Sequence, residues 1–456
     1  MRNLVPPLEP DFVDQAIENY RALVRIPTIS RLGDRGTNWA PFEQFREDIA
    51  ARYPQLHGSL SLEIVREHAM LFRWRGMTDT EPTVLMAHYD VVPVEDESAW
   101  TVPPFAADIV DVDGEPHLVA RGSIDDKASL AGILAAVEQA IISGFTPRSD
   151  VYLAFTHNEE VLGDGTPSIV QLLEKRGVRP RLVIDEGGIV GESILGPVNA
   201  DVVCIGVSEK GTGTLRLSLS APGGHSAVPP LEEATVRLAR AIVAIHDRGI
   251  TPLLSDVNRR LIRTLGPHAP GPVAEAARLL DAGDEAGAIE SFATASLNAR
   301  AMVHTIPVTT VVSAGMTANA IPERASALVS LRIAPGHSPA DVVDRVRQVI
   351  DDDGIAIEVI ELKDASPVSP SEGAEWDLIV RHIHATYGDD VLVVPYVNNG
   401  GTDSRNYTGI SDSVYRFSPY RMSLAQRESL HAIDERLPIS SFVEGLTFYT
   451  SFVRDL

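Results

Sequence analysis

The chain has 456 residues, 44% of them hydrophobic and 22% charged, and a formal net charge of −24. Its length can bury a large core and favours two domains over one, and its composition is that of an ordinary globular protein. With no basic patch the charge argues against nucleic acid as a partner, and no run of 18 apolar residues exists to span a membrane. The single cysteine, Cys204, lies in the apolar run Val202–Ile205. No intrachain disulfide can form, and a reducing compartment is expected. Met1–Pro7 lacks the apolar core of a leader peptide, so the expected location is cytoplasmic.

In chain order, 11–25 reads as an amphipathic helix, with Phe12, Ala16, Ile17, Tyr20 and Leu23 near one face. A second helix is expected at 41–53. Strands follow at 61–66, 70–74 and 83–88. The segment 129–143 carries Leu130, Ile133, Leu134, Val137 and Ile141 at helical spacing. A strand at 151–156, a helix at 168–176 and a strand at 181–184 come next, and this alternation indicates an α/β layer architecture. The pattern changes near Ser208. Residues 213–220 alternate strictly, as in a sheet with one wet face. A helix at 232–247, strands at 309–317 and 324–333, a helix at 339–351 and a strand at 355–362 complete a βαββαβ unit of ferredoxin-like type, interrupted by a helical insertion near 250–300. Helix and strand character returns at 376–387 and 391–395, and a last helix covers 440–454. The expected fold is an α/β domain with a central mixed sheet, built from 1–208 and 363–456, and an inserted α+β domain at 209–362.

Chemistry concentrates at the ends of the apolar runs. His88 and Asp90 close the run Thr83–Ala87, and residues two apart on a strand point the same way, so the two can share a cleft. Asp125-Asp126, Glu159-Glu160, Asp185-Glu186 and His431 follow in order. Imidazole and carboxylate groups without clustered cysteines suit Zn²⁺ or a similar borderline divalent ion. Five ligand positions exceed the need of one catalytic zinc and suit two ions about 3.5–4 Å apart that share a carboxylate. A remaining acid beside the metal-bridging water would be the general base.

Met86-Ala87-His88-Tyr89-Asp90-Val91-Val92-Pro93 resembles the histidine motif of the co-catalytic di-zinc metallopeptidases, which include glutamate carboxypeptidase, aminoacylase-1, succinyl-diaminopimelate desuccinylase and carnosinase. Gly122-Ser123-Ile124-Asp125-Asp126-Lys127 is similar to their bridging-aspartate motif, and His157-Asn158-Glu159-Glu160 to their tandem glutamates. Gly223-Gly224-His225-Ser226 and Gly400-Gly401-Thr402-Asp403 also match. The run Trp100–Phe105, Asp185-Glu186-Gly187-Gly188 and Ser208-Glu209-Lys210-Gly211 resemble the branch of vacuolar Gly-Xaa carboxypeptidase and secreted N-acyl-amino-acid hydrolases.

The resemblance implies that His88 binds one metal and Asp90 orients it. It implies that Asp125 bridges both metals and is followed by a cis peptide. Glu159 would be the general base, Glu160 a ligand, and His431 the closing ligand of the second site. Relatives use either a glutamate or an aspartate at the next strand end, so Asp185 and Glu186 both stand as candidates. His225 would reach the active site of a partner subunit and help hold the oxyanion. Asn319 and Arg332 would contact substrate, the arginine near its carboxylate, and Gly401 and Thr402 would form a turn that binds that carboxylate. His157, beside the tandem glutamates, is either a supporting residue or a bystander. The implied enzyme is a metal-dependent hydrolase with two Zn²⁺ per chain, Co²⁺ or Mn²⁺ also being suitable. It cleaves an amide or peptide bond next to a free carboxylate through a metal-bridging hydroxide. The implied partners are a small peptide or N-acyl amino acid and a second copy of the chain, paired through an inserted lid or dimerisation domain. The alternatives are an N-acyl-amino-acid deacylase of aminoacylase or desuccinylase type and a non-catalytic binding protein on the same fold.

Overall fold

The computed structural model describes residues 6–456; Met1–Val5, part of the stretch read for a leader, lie outside them. A ten-stranded mixed sheet runs in the order Ser61–Val65, Ala69–Trp74, Ser149–Thr156, Thr78–His88, Leu182–Asp185, Val414–Arg416, Val202–Glu209, Ile189–Gly191 and Arg421–Met422, and Leu392–Asn398 pairs with Val202–Glu209 off this path. Thr78–His88 is central to the chemistry. It lies parallel to Ser149–Thr156 on one side and to Leu182–Asp185 on the other. Parallel strands need cover on both faces and so read as continuous apolar runs, and Pro82 to His88 are all buried. The helix Lys127–Ile142 covers one face and packs against Ile439–Val453 and Pro10–Val24. Ile169, Leu173, Tyr407 and Ile410, from Gly165–Lys175 and the turn around Asp403–Gly409, close the other.

A separate four-stranded antiparallel sheet has the order Ile306–Ala314, Arg324–Ile333, Gly211–Ser220, Ala356–Lys363. With the helices Ala234–Arg248 and Pro339–Ile350 it forms the expected βαββαβ unit, and Leu215, Leu217, Val329, Leu331, Val342 and Val346 build its core. The expected strand 309–317 instead spans Ile306–Ala314. Pro307 is tolerated there because this is an edge strand, and Gly315 at φ 71° ends it. The helices of the 250–300 segment, from Asp256–Leu265 to Leu297–Val303, do not join this core. Leu261, Ile262, Phe292 and Met302 belong to the larger sheet's core, and Asp256–Leu265 packs against Leu392–Asn398. Amphipathic spacing shows that a helix has an apolar face, not which surface covers it.

Candidate metal centre

Three clusters named from the sequence sit at the carboxyl ends of adjacent parallel strands, the usual place for a ligand site in such a sheet. His88 is the last residue of Thr78–His88, Glu159 and Glu160 follow Ser149–Thr156, and Glu186 follows Leu182–Asp185. Asp125 arrives on the turn before the helix Lys127–Ile142, and His431 on the loop after the short helix Leu424–Glu428.

These groups converge on Asp125. One of its oxygens is 2.7 Å from His88 Nε2 and the other 3.0 Å from His431 Nε2. His431 Nε2 is also 3.1 Å from Glu160 Oε2, and His88 Nε2 is 3.5 Å from Glu186 Oε1. Donor atoms of His88, Asp125 and Glu160 lie within 4.8 Å of one another, as do those of His88, Glu159 and Glu186. On distance alone Glu159 could therefore be a ligand as well as a base. The Asp125–Asp126 peptide is cis.

Of the two strand-end acids left open, Glu186 turns towards His88. Asp185 is buried and faces away, where Oδ2 accepts from the Ser404 amide at 2.8 Å. Glu186 can leave the strand direction because Gly187 and Gly188 follow it at φ 100° and 66°. A Cβ on Gly188 would meet the Cys204 carbonyl oxygen at 2.3 Å. In this position Asp185 braces the 404 turn.

Asp90 is fully buried, and its carboxylate accepts from Ser30 Oγ and from the amides of Glu159 and Glu160. It thereby fixes the tandem-glutamate turn. His88 Nδ1 donates to the Asp90 carbonyl at 3.0 Å, which leaves Nε2 to face the acids.

Two further acids were given no role from the sequence. Glu435 is fully buried and accepts from the amides of Gly122, Ile124 and Asp125 and from Arg121, so it shapes the loop that carries Asp125. Asp403 accepts from Thr156 and Thr166 hydroxyls at 2.7 and 2.6 Å. Burial pushes its pKa up to about 7. Glu435 has no local pattern, the motif Gly400–Asp403 does not disclose what Asp403 binds, and the partners of both lie hundreds of residues away.

The electrostatics favour added positive charge. Burial holds the Glu159 and Glu186 carboxyls well above the usual range, and neighbouring acids add to the shift. Burial lowers the His88 pKa, but Glu186, Asp125 and Asp90 outweigh it and raise the imidazole overall. Hydrogen bonds to Asp125 and Glu160 raise His431 to about 10. Buried carboxylates need a compensating charge, and two imidazoles do not balance Asp125, Glu159, Glu160 and Glu186. Oxygen and imidazole donors in this number suit divalent cations of the zinc type.

A cleft of about 450 Å³ opens beside the cluster and is lined by Glu159, Glu160, Arg332, Gly401 and Thr402, among others. The Thr402 amide and hydroxyl both donate to Glu209, itself paired with the buried Arg416 at 2.8 Å. His225 and Asn319 do not line this cleft. His225 pairs with Ala320 across the ladder Gly224–His225/Ala320–Ile321, and the Ser226 amide donates to the Asn319 carbonyl at 3.3 Å. Both residues are exposed and close to each other. His157 is buried beside His68 and Trp39, which makes it a core residue supporting the turn.

Residues 84–455 match the family described as Peptidase family M20/M25/M40. The chain is 29% identical to an N-fatty-acyl-amino acid synthase/hydrolase of Danio rerio, over 99% of this chain and 88% of that protein. It is 29% identical to a probable carboxypeptidase S-like protein of Dictyostelium discoideum, over 98% of this chain and 88% of that one. In fold it is similar to an M20 family metallo-carboxypeptidase of Sulfolobus solfataricus, with a TM-score of 0.69 at 17% identity over 96% of this chain and 98% of that one. It is also similar to human carnosine dipeptidase 1, with a TM-score of 0.62 at 14% identity over 97% of this chain and 96% of that one.

Proposed function

Because the chain belongs to Peptidase family M20/M25/M40 and is a metal-dependent hydrolase of amide or peptide bonds, we propose that the bond it cleaves lies next to a free carboxylate, as in a dipeptidase or carboxypeptidase. The observation that carries this reading is the cleft that joins the acidic cluster to Arg332 and the Gly401–Thr402 turn. Beside it, His88, Asp125 and Glu186 would hold one divalent cation, and Asp125, Glu160 and His431 a second. Zinc is the proposed metal, and cobalt or manganese suits the same donors. When bound, the pair supplies Lewis acidity to the scissile carbonyl and lowers the pKa of a water.

Glu159 lines the cleft and is left over once these two donor sets are filled. Its carboxylate takes the proton of the attacking water and returns it to the leaving nitrogen as the C–N bond breaks. Arg332 and the Gly401–Thr402 turn orient the substrate carboxylate. N-acyl-amino-acid hydrolysis is the second reading, favoured by similarity to the Danio rerio protein. Mass spectrometry of a panel of dipeptides and N-acyl amino acids, with protein reconstituted in Zn²⁺ or Co²⁺, decides between them. Absence of turnover across the panel would leave a binding protein on the same fold.

We further propose a homodimer in which His225 serves the neighbouring active site and donates to the carbonyl oxygen. Its exposure, and that of Asn319, supports this. So does the edge strand Ile306–Ala314, on which Val308, Val311 and Val312 are about half exposed. Subunit exchange between a His225→Ala chain and a Glu159→Ala chain should give heterodimers with one intact site of two, so that an equal mixture regains activity towards about a quarter of the natural value. A mixture that stays inactive after proven exchange would assign His225 to its own chain. A cytoplasmic location is also proposed, supported by the single buried cysteine.

A further inference from the structure

Strand alternation separates the two faces of the small sheet. Leu331 and Ile333 enter its core, while Arg332 between them takes the opposite face. Arg332 stands opposite Thr212, and Thr212 stands opposite Lys363 on the next strand. All three line the cleft that holds Glu159 and Glu160. Arg405 enters the same cleft from Asp403–Gly409. Its Nη2 donates to the carbonyl of Asp364, next to Lys363, at 2.9 Å. Its Nη1 lies 3.7 Å from where a Cβ on Gly401 would stand.

Three cations thus line the cleft, beside the carboxylates of Glu159, Glu160, Glu361 and Asp403. Among the described residues neither Arg332 nor Arg405 makes an ion pair. Lys363 pairs with Glu361 at 2.9 Å, but both side chains are about half exposed, at 51% and 48%. Such a pair is weak and exchangeable. Asp403, also on the lining, accepts from the Thr156 and Thr166 hydroxyls, and the nearby Glu209 accepts from Arg416 and Thr402. Among the lining residues described, only Leu162 and Pro167 carry wholly apolar side chains, which is poor cover for a long alkyl chain.

One α-carboxylate is satisfied by a single guanidinium and the Gly401 end of the Gly401–Thr402 turn, the Thr402 amide and hydroxyl being given to Glu209. From the placement of the remaining cations we infer that the substrate carries a second carboxylate, on the side chain of the amino acid that leaves: the cleft takes N-acyl or aminoacyl derivatives of aspartate or glutamate. Arg332 and the turn hold the α-carboxylate, and Arg405 with Lys363 holds the other. The second carboxylate belongs to the same half of the substrate because Arg405 stands directly beside Gly401. This inference rests on the proposed hydrolysis next to a carboxylate.

The test compares isosteric pairs that differ by one charge: N-acetylglutamate with N-acetylglutamine, and Ala-Glu with Ala-Gln, using metal-loaded protein. The acidic member should be favoured at least tenfold in kcat/KM at low salt, and Arg405→Met should reduce that preference to near unity. Lys363→Met is the second variant and should reduce it in part. Equal rates for the two members, or an Arg405→Met loss of the same factor for both, would overturn the inference. If no compound is turned over although metal is bound, the hydrolase reading fails, and calorimetric binding of the same compounds decides the anion site. Tighter binding of N-acetylglutamate that depends on Arg405 upholds it. Equal or absent binding overturns it.

Discussion

Glu435→Gln offers a sharp test of how the Asp125 loop is held. The carboxylate is fully buried. One oxygen accepts from the Ile124 and Asp125 amides at 2.8 and 3.2 Å, and the other from Gly122 N and Arg121 Nη1 at 3.1 and 2.8 Å. Glutamine has nearly the same shape but turns one acceptor oxygen into a donor. Whichever way the amide is placed, two of the four donors face an N–H group instead of an oxygen. Hydrogen bonds to charged groups contribute about 1.5–3 kcal/mol each, so two of them amount to roughly 3–6 kcal/mol. The Arg121 charge also loses its buried partner, a change that typically costs about 3–5 kcal/mol. The two estimates describe the same loss, and we expect about 3–5 kcal/mol. Because the loop carries Asp125, metal affinity should fall roughly 10–100-fold, the usual effect of removing support for a ligand. Urea unfolding of the metal-free protein gives the first quantity, and competition with a chromogenic chelator gives the second. A stability change below about 0.5 kcal/mol, or unaltered metal affinity, would refute the reasoning.

Other perturbations separate roles that the static geometry leaves adjacent. Glu159→Gln should keep two metals per chain and lose roughly 10²–10⁴ in kcat; loss of one metal would make Glu159 the ligand that its distance to His88 and Glu186 permits. Arg416→Met leaves Glu209 buried without its partner and should cost about 3–5 kcal/mol, read as a lower urea midpoint. It should also raise KM by loosening the Thr402 turn. Lys210 is buried and donates to the carbonyls of Ala301 and His304. Burial lowers its pKa from 10.5 to about 7, with Arg332 adding to the shift. Between these values the unfolded chain binds more protons than the folded one. Stability should therefore rise with pH across that window, by at most about 1.4 kcal/mol per unit, and Lys210→Met should remove this component.

His88 and Asp90 were legible from sequence because strand alternation sets which residues share a face, and the apolar run before them marks the strand. Asp125, Glu160 and His431 were placed by resemblance, and their convergence depends on loops whose paths no local pattern encodes. The choice between Asp185 and Glu186 was hidden for a similar reason. It turns on where the strand ends, which the two glycines after Glu186 and their approach to Cys204 determine. Glu435 was invisible because a lone acid in a loop looks the same whether it is solvated or buried against distant amides, and Asp403 stood in the Gly400–Asp403 motif without any sign of its distant threonine partners. The helices near 250–300 were expected as helices but not against the larger core, since periodicity does not name a partner. Arg332, Thr212 and Lys363 form a row only once strand register is known.

The central claim is that Asp125 joins two metal sites that make this protein an amide hydrolase. The most direct measurement is titration of Zn²⁺ into chelator-stripped protein, with bound metal and dipeptide turnover followed together, in the natural chain and in Asp125→Asn. The account requires saturation at two ions per chain with activity appearing as they bind, and loss of both occupancy and turnover in Asp125→Asn. Full turnover in the stripped protein, or two tightly held ions in Asp125→Asn, would contradict it.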